Sequence, residues 1–166
     1  MDLKDKIRSI EDYPQKGVIF RDITTLLKDA EGLKDAVDAI TASLADVSFD
    51  LVLSPESRGF IFGMPVAYNM GKGFVPVRKA GKLPAETISK EYELEYGTAT
   101  IEIHKDAIKP GQKVVIVDDL MATGGTAKAI MEMVEVVASA FLIELDFLNG
   151  RKTLPDCRVE AVIHYE

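Results

Sequence analysis

The chain has 166 residues, of which 47% are apolar and 28% charged, with a formal net charge of −7. These proportions fit one soluble domain with its own core and leave no room for long disorder. The acid excess excludes a general binder of nucleic acid or of anionic membrane, since both need a dominant basic surface. No run of about 18 apolar residues is present, so no membrane span is expected. The charged opening MDLKDKIRSI does not read as a secretory signal. Cys157 is the single cysteine. It allows no internal disulfide and no cysteine zinc site, so a reduced, cytoplasmic setting is expected. Two histidines, His104 and His164, make a histidine metal centre a poor prospect. His104 falls in a predicted strand and reads as structural.

Leu3, Ile7 and Ile10 stand at helical spacing and predict a short first helix over 3–10. Residues 13–28 have no clean period and carry Pro14 and Gly17, which predicts a loop with some extended structure. Leu33, Val37, Ile40 and Leu44 mark one face of an amphipathic helix over 29–46. Residues 49–54 read as a strand and 55–59 as a tight loop. A helix is predicted over 60–70, with Pro65 near its first turn or kinking it. Glycines at 71 and 73 stop it, and 74–79 reads as a strand. The polar stretch 80–97 predicts a long loop of the functional or mobile kind. Residues 98–104 alternate as a strand does, and 109–111 form a turn. The apolar run 113–117 predicts a strand buried on both faces. A helix over about 127–138 and strands over 141–148 and 159–164 complete the pattern. Strands alternating with helices predict an α/β fold with a mostly parallel central sheet flanked by helices. With no repeat and no linker, a single domain over 1–166 is expected.

Chemistry concentrates in residues 113–128, KVVIVDDLMATGGTAK. A buried strand runs into Asp118 and Asp119, a small-residue loop follows at 122–126, and a helix begins. In an open parallel sheet, ligands bind outside the carboxyl ends of the strands. A glycine-rich loop entering a helix presents free N–H groups and the positive end of the helix dipole, which makes an anion site. Gly124 and Gly125 let the backbone approach the anion, while Thr123 and Thr126 add hydroxyls. Neither the G-x-x-x-x-G-K-[ST] nor the G-x-G-x-x-G pattern is present. Carboxylates repel phosphate, so Asp118 and Asp119 should face sugar hydroxyls or a cation held by the ligand.

This strand, acid pair and T-G-G-T loop resemble the phosphoribosyl-diphosphate motif of the type I phosphoribosyltransferases. KGVIFRDITTLLK (16–28) resembles the purine-binding stretch of the adenine phosphoribosyltransferases, and PESRGFIFG (55–63) their diphosphate loop. VPVRKAGKLP (75–84) and YELEYGTATIEIHKDAIKPG (92–111) resemble their lid and the strand after it. The resemblance runs from about residue 7 to the C-terminus. Thr25 departs from it, standing where a proline is common, as do Ser54 and Pro55 before the acid of the E-S-R-G loop.

The resemblance implies the type I fold with a small hood, from about 1–30 and the C-terminal region, and a flexible lid over about 80–97. It implies transfer of the phosphoribosyl group of 5-phosphoribosyl diphosphate to adenine, giving AMP and diphosphate. Ala122, Thr123, Gly124, Gly125 and Thr126 would hold the 5′-phosphate. Asp118 and Asp119 would accept the ribose hydroxyls and stabilise positive charge on the sugar. Ser57, Arg58, Lys79 and Lys82 would meet the diphosphate, with donation of a lysine across a homodimer interface as one arrangement. A non-proline cis peptide would join Glu56 and Ser57. Ile19, Phe20 and Arg21 would form the adenine site, with Phe20 stacked on the ring. Arg21 could instead pair with Asp22 or another acid. Glu95 and Tyr96 would sit on the lid, where Glu95 assists loss of the purine N9 proton. Mg²⁺ would arrive on the substrate rather than in a protein cage.

Two other classes compete. One is a phosphoribosyltransferase for hypoxanthine, guanine, xanthine or orotate, against which the 16–28 and 92–97 segments argue. The other keeps the site without turnover, as a metabolite-sensing regulator or a bare nucleotide binder. A nucleic-acid-binding regulator needs a basic face that this acidic chain lacks, and the lid sequence argues for turnover.

Overall fold

The structure is a computed structural model, and it describes residues 2–94 and 97–166. A 3-10 turn at Leu3–Lys6 precedes β1 (Arg8–Ile10), which pairs antiparallel with β2 (Phe20–Asp22). Then come α1 (Thr24–Leu27), α2 (Ala30–Ser43), β3 (Leu51–Pro55), α3 (Arg58–Met70) and β4 (Gly73–Lys79). They are followed by β5 (Thr87–Leu94), β6 (Gly97–His104), β7 (Val114–Met121), α4 (Gly125–Met133), β8 (Val136–Leu145) and β9 (Arg158–Tyr165). The main sheet runs β5-β6-β4-β3-β7-β8-β9. Its strands from β4 to β9 are parallel, and the β5–β6 hairpin extends it antiparallel beside β4.

Local chemistry explains the elements. Asp29 caps α2, its carboxylate accepting the Gly32 N–H at 3.0 Å, and Ala36, Val37 and Ile40 turn inward. Gly63 of α3 lies so close to β3 that a Cβ there would stand 1.9 Å from Ser54 Oγ. The helix therefore rests on the sheet through bare backbone. Pro65 sits in mid-helix rather than in the first turn, and Gly71 ends α3 in the left-handed region at φ +66°. One apolar core joins α2 and α3 to one face of the sheet, including Ile40, Phe62, Val115 and Leu142. A second, around Ile116, Ile130 and Phe141, lies beneath α4.

The chain leaves β3 through α3 toward β4 on one side and leaves β7 through α4 toward β8 on the other. The strand order therefore reverses between β3 and β7. Their carboxyl ends carry Glu56, Ser57 and Arg58 on one hand and Asp118 with residues 122–126 on the other, where an open α/β sheet binds ligands.

Four expectations need correction. Residues 3–10 form a single 3-10 turn and a strand, because one turn cannot repay helix nucleation and β2 offers a pairing edge. Residues 13–28 contain the helix Thr24–Leu27, started by Asp22, which accepts the Thr24 N–H at 2.9 Å and its hydroxyl at 2.7 Å. The stretch 80–97 is not a plain loop: Thr87–Leu94 is a strand paired along its length with β6. The last helix stops at Met133, and the valines at 136 and 137 belong to β8, which ends at Leu145. β-branched residues fit a buried strand between β7 and β9 better than a helix end.

Thr25 has a structural use. Its hydroxyl donates to the Lys6 carbonyl at 2.6 Å and accepts the Arg8 N–H at 3.1 Å, tying the N-terminal turn to α1.

Candidate active site

β7 continues past the apolar run to Met121, so Asp118 and Asp119 lie within the strand rather than after it. Gly124 then adopts φ +86° and caps α4. No acid occupies the first turn of α4. Its free N–H groups and dipole therefore face the loop unopposed. A second segment braces this loop. A Cβ on Gly124 would stand 2.8 Å from the Gly150 carbonyl and 2.8 Å from Thr153 Oγ1, and Thr153 donates to the Thr123 carbonyl at 3.1 Å. Gly150 is pressed as closely, its Cβ position 2.5 Å from the Ala122 carbonyl oxygen. Of the two loop glycines, Gly124 is the one whose packing within the protein leaves no room for a side chain. A Cβ on Gly125 would make only an ordinary contact with Tyr92 at 3.6 Å.

The brace is anchored from behind. Arg151 donates to both oxygens of the buried Glu144 at the end of β8, and to the Val159 carbonyl at 3.0 Å. Asp146 and His164 lie beside this pair, 2.8 Å apart. Apart from His164, weighed only against a histidine metal centre, none of these residues was singled out from the sequence, although Asn149 and Gly150 form a turn dipeptide and Asn149 does take φ +54°.

Asp118 and Asp119 differ in their partners. Asp119 is buried, with Oδ2 3.2 Å from Arg58 Nε. Asp118 Oδ1 accepts the Asp119 N–H at 2.8 Å. Loss of hydration pushes the Asp118 carboxyl well above the usual carboxylate range, and the neighbouring Asp119 charge pushes the same way. Such a group favours a partner that donates hydrogen bonds or brings positive charge.

The 55–59 turn faces the acid pair. The Glu56–Ser57 bond is cis. Ser57 precedes α3 without a capping bond from its side chain. Arg58 reaches across to Asp119, and its guanidinium carbon lies 5.9 Å from the Phe20 ring centre. Glu56 accepts the Lys79 N–H at 2.6 Å and lies 3.3 Å from Arg78 Nε and 3.9 Å from Lys82 Nζ. The Lys79 N–H, followed by Arg78, holds the Glu56 carboxyl below its ordinary value. Arg78 and the pairing of Glu56 with it were missed because the link between the β3 and β4 ends is not local in sequence.

Two clefts meet here. One, of about 480 Å³, is lined by residues 122–126, Tyr92, Asp118 and Phe141. The other, of about 290 Å³, is lined by Glu56, Arg58, Arg78, Lys79 and Asp119. Asp118, Tyr92, Leu120 and Thr126 belong to both walls.

The purine-side residues lie apart from the glycine loop and reach the acid pair through Arg58. Phe20 is half-buried and packs edge-on to Tyr13 at 5.3 Å between centres, whereas Ile19 is 48% exposed. Among the described residues Arg21 pairs with no acid: it donates to Ser9 Oγ at 2.5 Å and stacks 3.8 Å over the Tyr165 ring, while Asp22 pairs with Arg8. Lys4 donates to the His164 carbonyl at 2.9 Å, so the N-terminal segment and β9 hold one another. His104 accepts the Ala85 N–H at 3.3 Å, away from both clefts. Glu95 and Tyr96 lie outside the described residues.

A parallel sheet with this acid pair and backbone anion loop at its switch point defines a phosphoribosyltransferase, and the model of the phosphoribosyl transferase domain matches residues 24–146. An adenine phosphoribosyltransferase of Agathobacter rectalis is 59% identical, over 99% of this chain and 97% of its own length. The crystal structure of the Thermoanaerobacter pseudethanolicus adenine phosphoribosyltransferase superposes with a TM-score of 0.95 at 53% identity, covering 98% of each chain. The Saccharomyces cerevisiae enzyme, solved with an imino-altritol bisphosphate and adenine, gives 0.90 at 40% identity over 96% of each chain. The chain belongs to the adenine phosphoribosyltransferase family.

Proposed function

We propose that this chain transfers the 5-phosphoribosyl group from 5-phosphoribosyl diphosphate to adenine, releasing AMP and diphosphate. The observation that carries the reading is the meeting of a backbone-built anion loop, an acid pair and a cationic turn at one reversal of strand order. In the reaction, adenine N9 forms a bond to the anomeric carbon as the bond from that carbon to the diphosphate oxygen breaks. The N9 proton leaves to a base. Positive charge grows on the ribose, as in other glycosyl transfers.

Residues 122–126 hold the 5′-phosphate in this reading. The raised basicity of Asp118 suits it to accept the ribose 2′- and 3′-hydroxyls with Asp119, and to face the developing positive charge. Ser57, Arg58, Lys79 and Lys82 receive the diphosphate, and Arg78 joins them through Glu56. Phe20 stacks on adenine with Arg58 nearby, and backbone groups of Ile19 and Arg21 read its edge. Glu95 takes the N9 proton in this reading, and Tyr96 is assigned to the lid with it. Mg²⁺, when bound, would be carried by the diphosphate and would offset the leaving charge. The hard carboxylate oxygens of Asp118 and Asp119 fit it as partners through water.

The chain is proposed to act as a homodimer. Support comes from Ile61, Met64 and Tyr68, exposed on α3 beside Leu33 and Val37 of α2. No described helix is long and apolar enough to cross a membrane. The lone cysteine supports a cytoplasmic setting.

The test offers each nucleobase in turn with phosphoribosyl diphosphate and Mg²⁺, and separates the products. A backbone acceptor at the amine of adenine would meet the oxygen of hypoxanthine. That mismatch costs about tenfold to a hundredfold. Comparable rates on adenine and hypoxanthine would overturn the base assignment. Glu95→Gln should lower kcat more than it raises the KM for adenine, and a normal kcat would remove Glu95 from proton transfer.

A further inference from the structure

We propose that Tyr92 is a positioning residue for the 5′-phosphate, acting through the hydroxyl of Thr126. The inference rests on the function proposed above and goes beyond it, because the lid stretch that opens at Tyr92 assigned that side chain no role. Its hydroxyl lies 3.1 Å from Thr126 Oγ1, and its ring covers the flank of Gly125. Thr126 is the second residue of α4, among the free N–H groups of the anion site. A Lys90–Glu132 ion pair at 2.9 Å ties β5 to the same helix six residues further on.

A threonine hydroxyl has one proton and two lone pairs. If that proton is spent on a neighbouring acceptor, none remains for a phosphate oxygen. A phenol is the stronger acid of this pair, so the favoured order has Tyr92 donating to Thr126. Thr126 then keeps its own proton for the phosphate, and each bond of the relay polarises the next. Without the phenol, the hydroxyl is free to turn toward a carbonyl of its own segment. The same bond links occupation of the phosphate loop to the seating of β5.

The experiment titrates ribose 5-phosphate by calorimetry into the wild type, Tyr92→Phe, Thr126→Val and the double variant, with AMP formation measured alongside. Tyr92→Phe removes one oxygen and keeps the ring. Its Kd for ribose 5-phosphate, and its KM for phosphoribosyl diphosphate, should rise about threefold to tenfold. Its Tm, its kcat and its KM for adenine should stay near the wild-type values. The double variant should bind no more weakly than Thr126→Val alone. In a Thr126→Ser background, which keeps the hydroxyl, loss of the Tyr92 oxygen should cost the same factor as in the parent. Unchanged affinity in Tyr92→Phe, or additive losses in the double variant, would overturn the role while the wild type still makes AMP. A wild type that makes no AMP from adenine overturns the function, and this role with it.

Discussion

The two walls of the site bind anions by opposite means. At the glycine loop the donors are backbone N–H groups and neutral hydroxyls, locked by Gly150 and Thr153 on one side and Tyr92 on the other. At the facing wall they are long cations: the side chains of Arg58 and Lys82 are 53% and 51% exposed. Asp119 pairs with the first and Glu56 with the second. A preformed backbone cradle suits the phosphate that substrate and product share, since it loses no side-chain entropy on binding. Exposed cations suit a group that must leave, because their hold is loose and screened by salt.

The wall that the two cradles share should show the largest effect. Asp118→Asn is expected to lower kcat by about a hundredfold to a thousandfold while the fold stays intact. It should also raise the Tm at pH 8. A carboxyl whose pKa is higher in the folded state costs stability when ionised, and that cost fades as pH falls through the raised value. Thermal melts across pH, with variant and wild type converging in acid, test this sign. A Tm penalty at pH 8 would show that the charge stabilises the fold.

The backbone cradle is probed next. Gly124→Val places a side chain at φ +86° against Gly150 and Thr153, and should weaken ribose 5-phosphate binding by about a hundredfold. Gly125→Ala, whose Cβ meets the protein only at an ordinary 3.6 Å from Tyr92, should cost clearly less. Similar losses at both glycines would mean that the brace from 150–153 does not set the loop.

Arg58→Ala gives the smallest of the three effects and the sharpest contrast. The KM for phosphoribosyl diphosphate should rise about tenfold in dilute buffer, and the gap to wild type should narrow in ~1 M salt. The Gly124→Val loss should hold at both salt levels. Equal salt dependence in the two variants would erase the distinction between the walls.

The glycine cradle was legible because its parts are contiguous: strand, acids, loop and helix start within residues 113–128. Its braces were not, since Gly150 and Thr153 meet the loop only after β8 has run the length of the sheet and turned back. Glu56 joins Arg78 and Lys82 across a similar crossover. β5 was hidden for another reason. Lys90, Glu91 and Glu93 dilute its alternation, and its hydrogen bonds come wholly from β6. Val134 and Val137 follow Ile130 at i+4 and i+7, so the pattern carries the helix to about 138, whereas packing between two strands places Val136 and Val137 in β8.

That same charged strand has a consequence for solution behaviour. β5 is the outer strand of the sheet, and its far side offers a row of unpaired backbone groups to any passing chain. A second β5 laid alongside would bring Glu91 and Glu93 against like charges in at least one register. Lys90 is already committed to Glu132 and cannot offset them. The edge that carries Tyr92 is thus guarded against strand addition by its own acids. Concentrated protein should resist aggregation through this edge, and Glu91→Gln with Glu93→Gln should remove that protection.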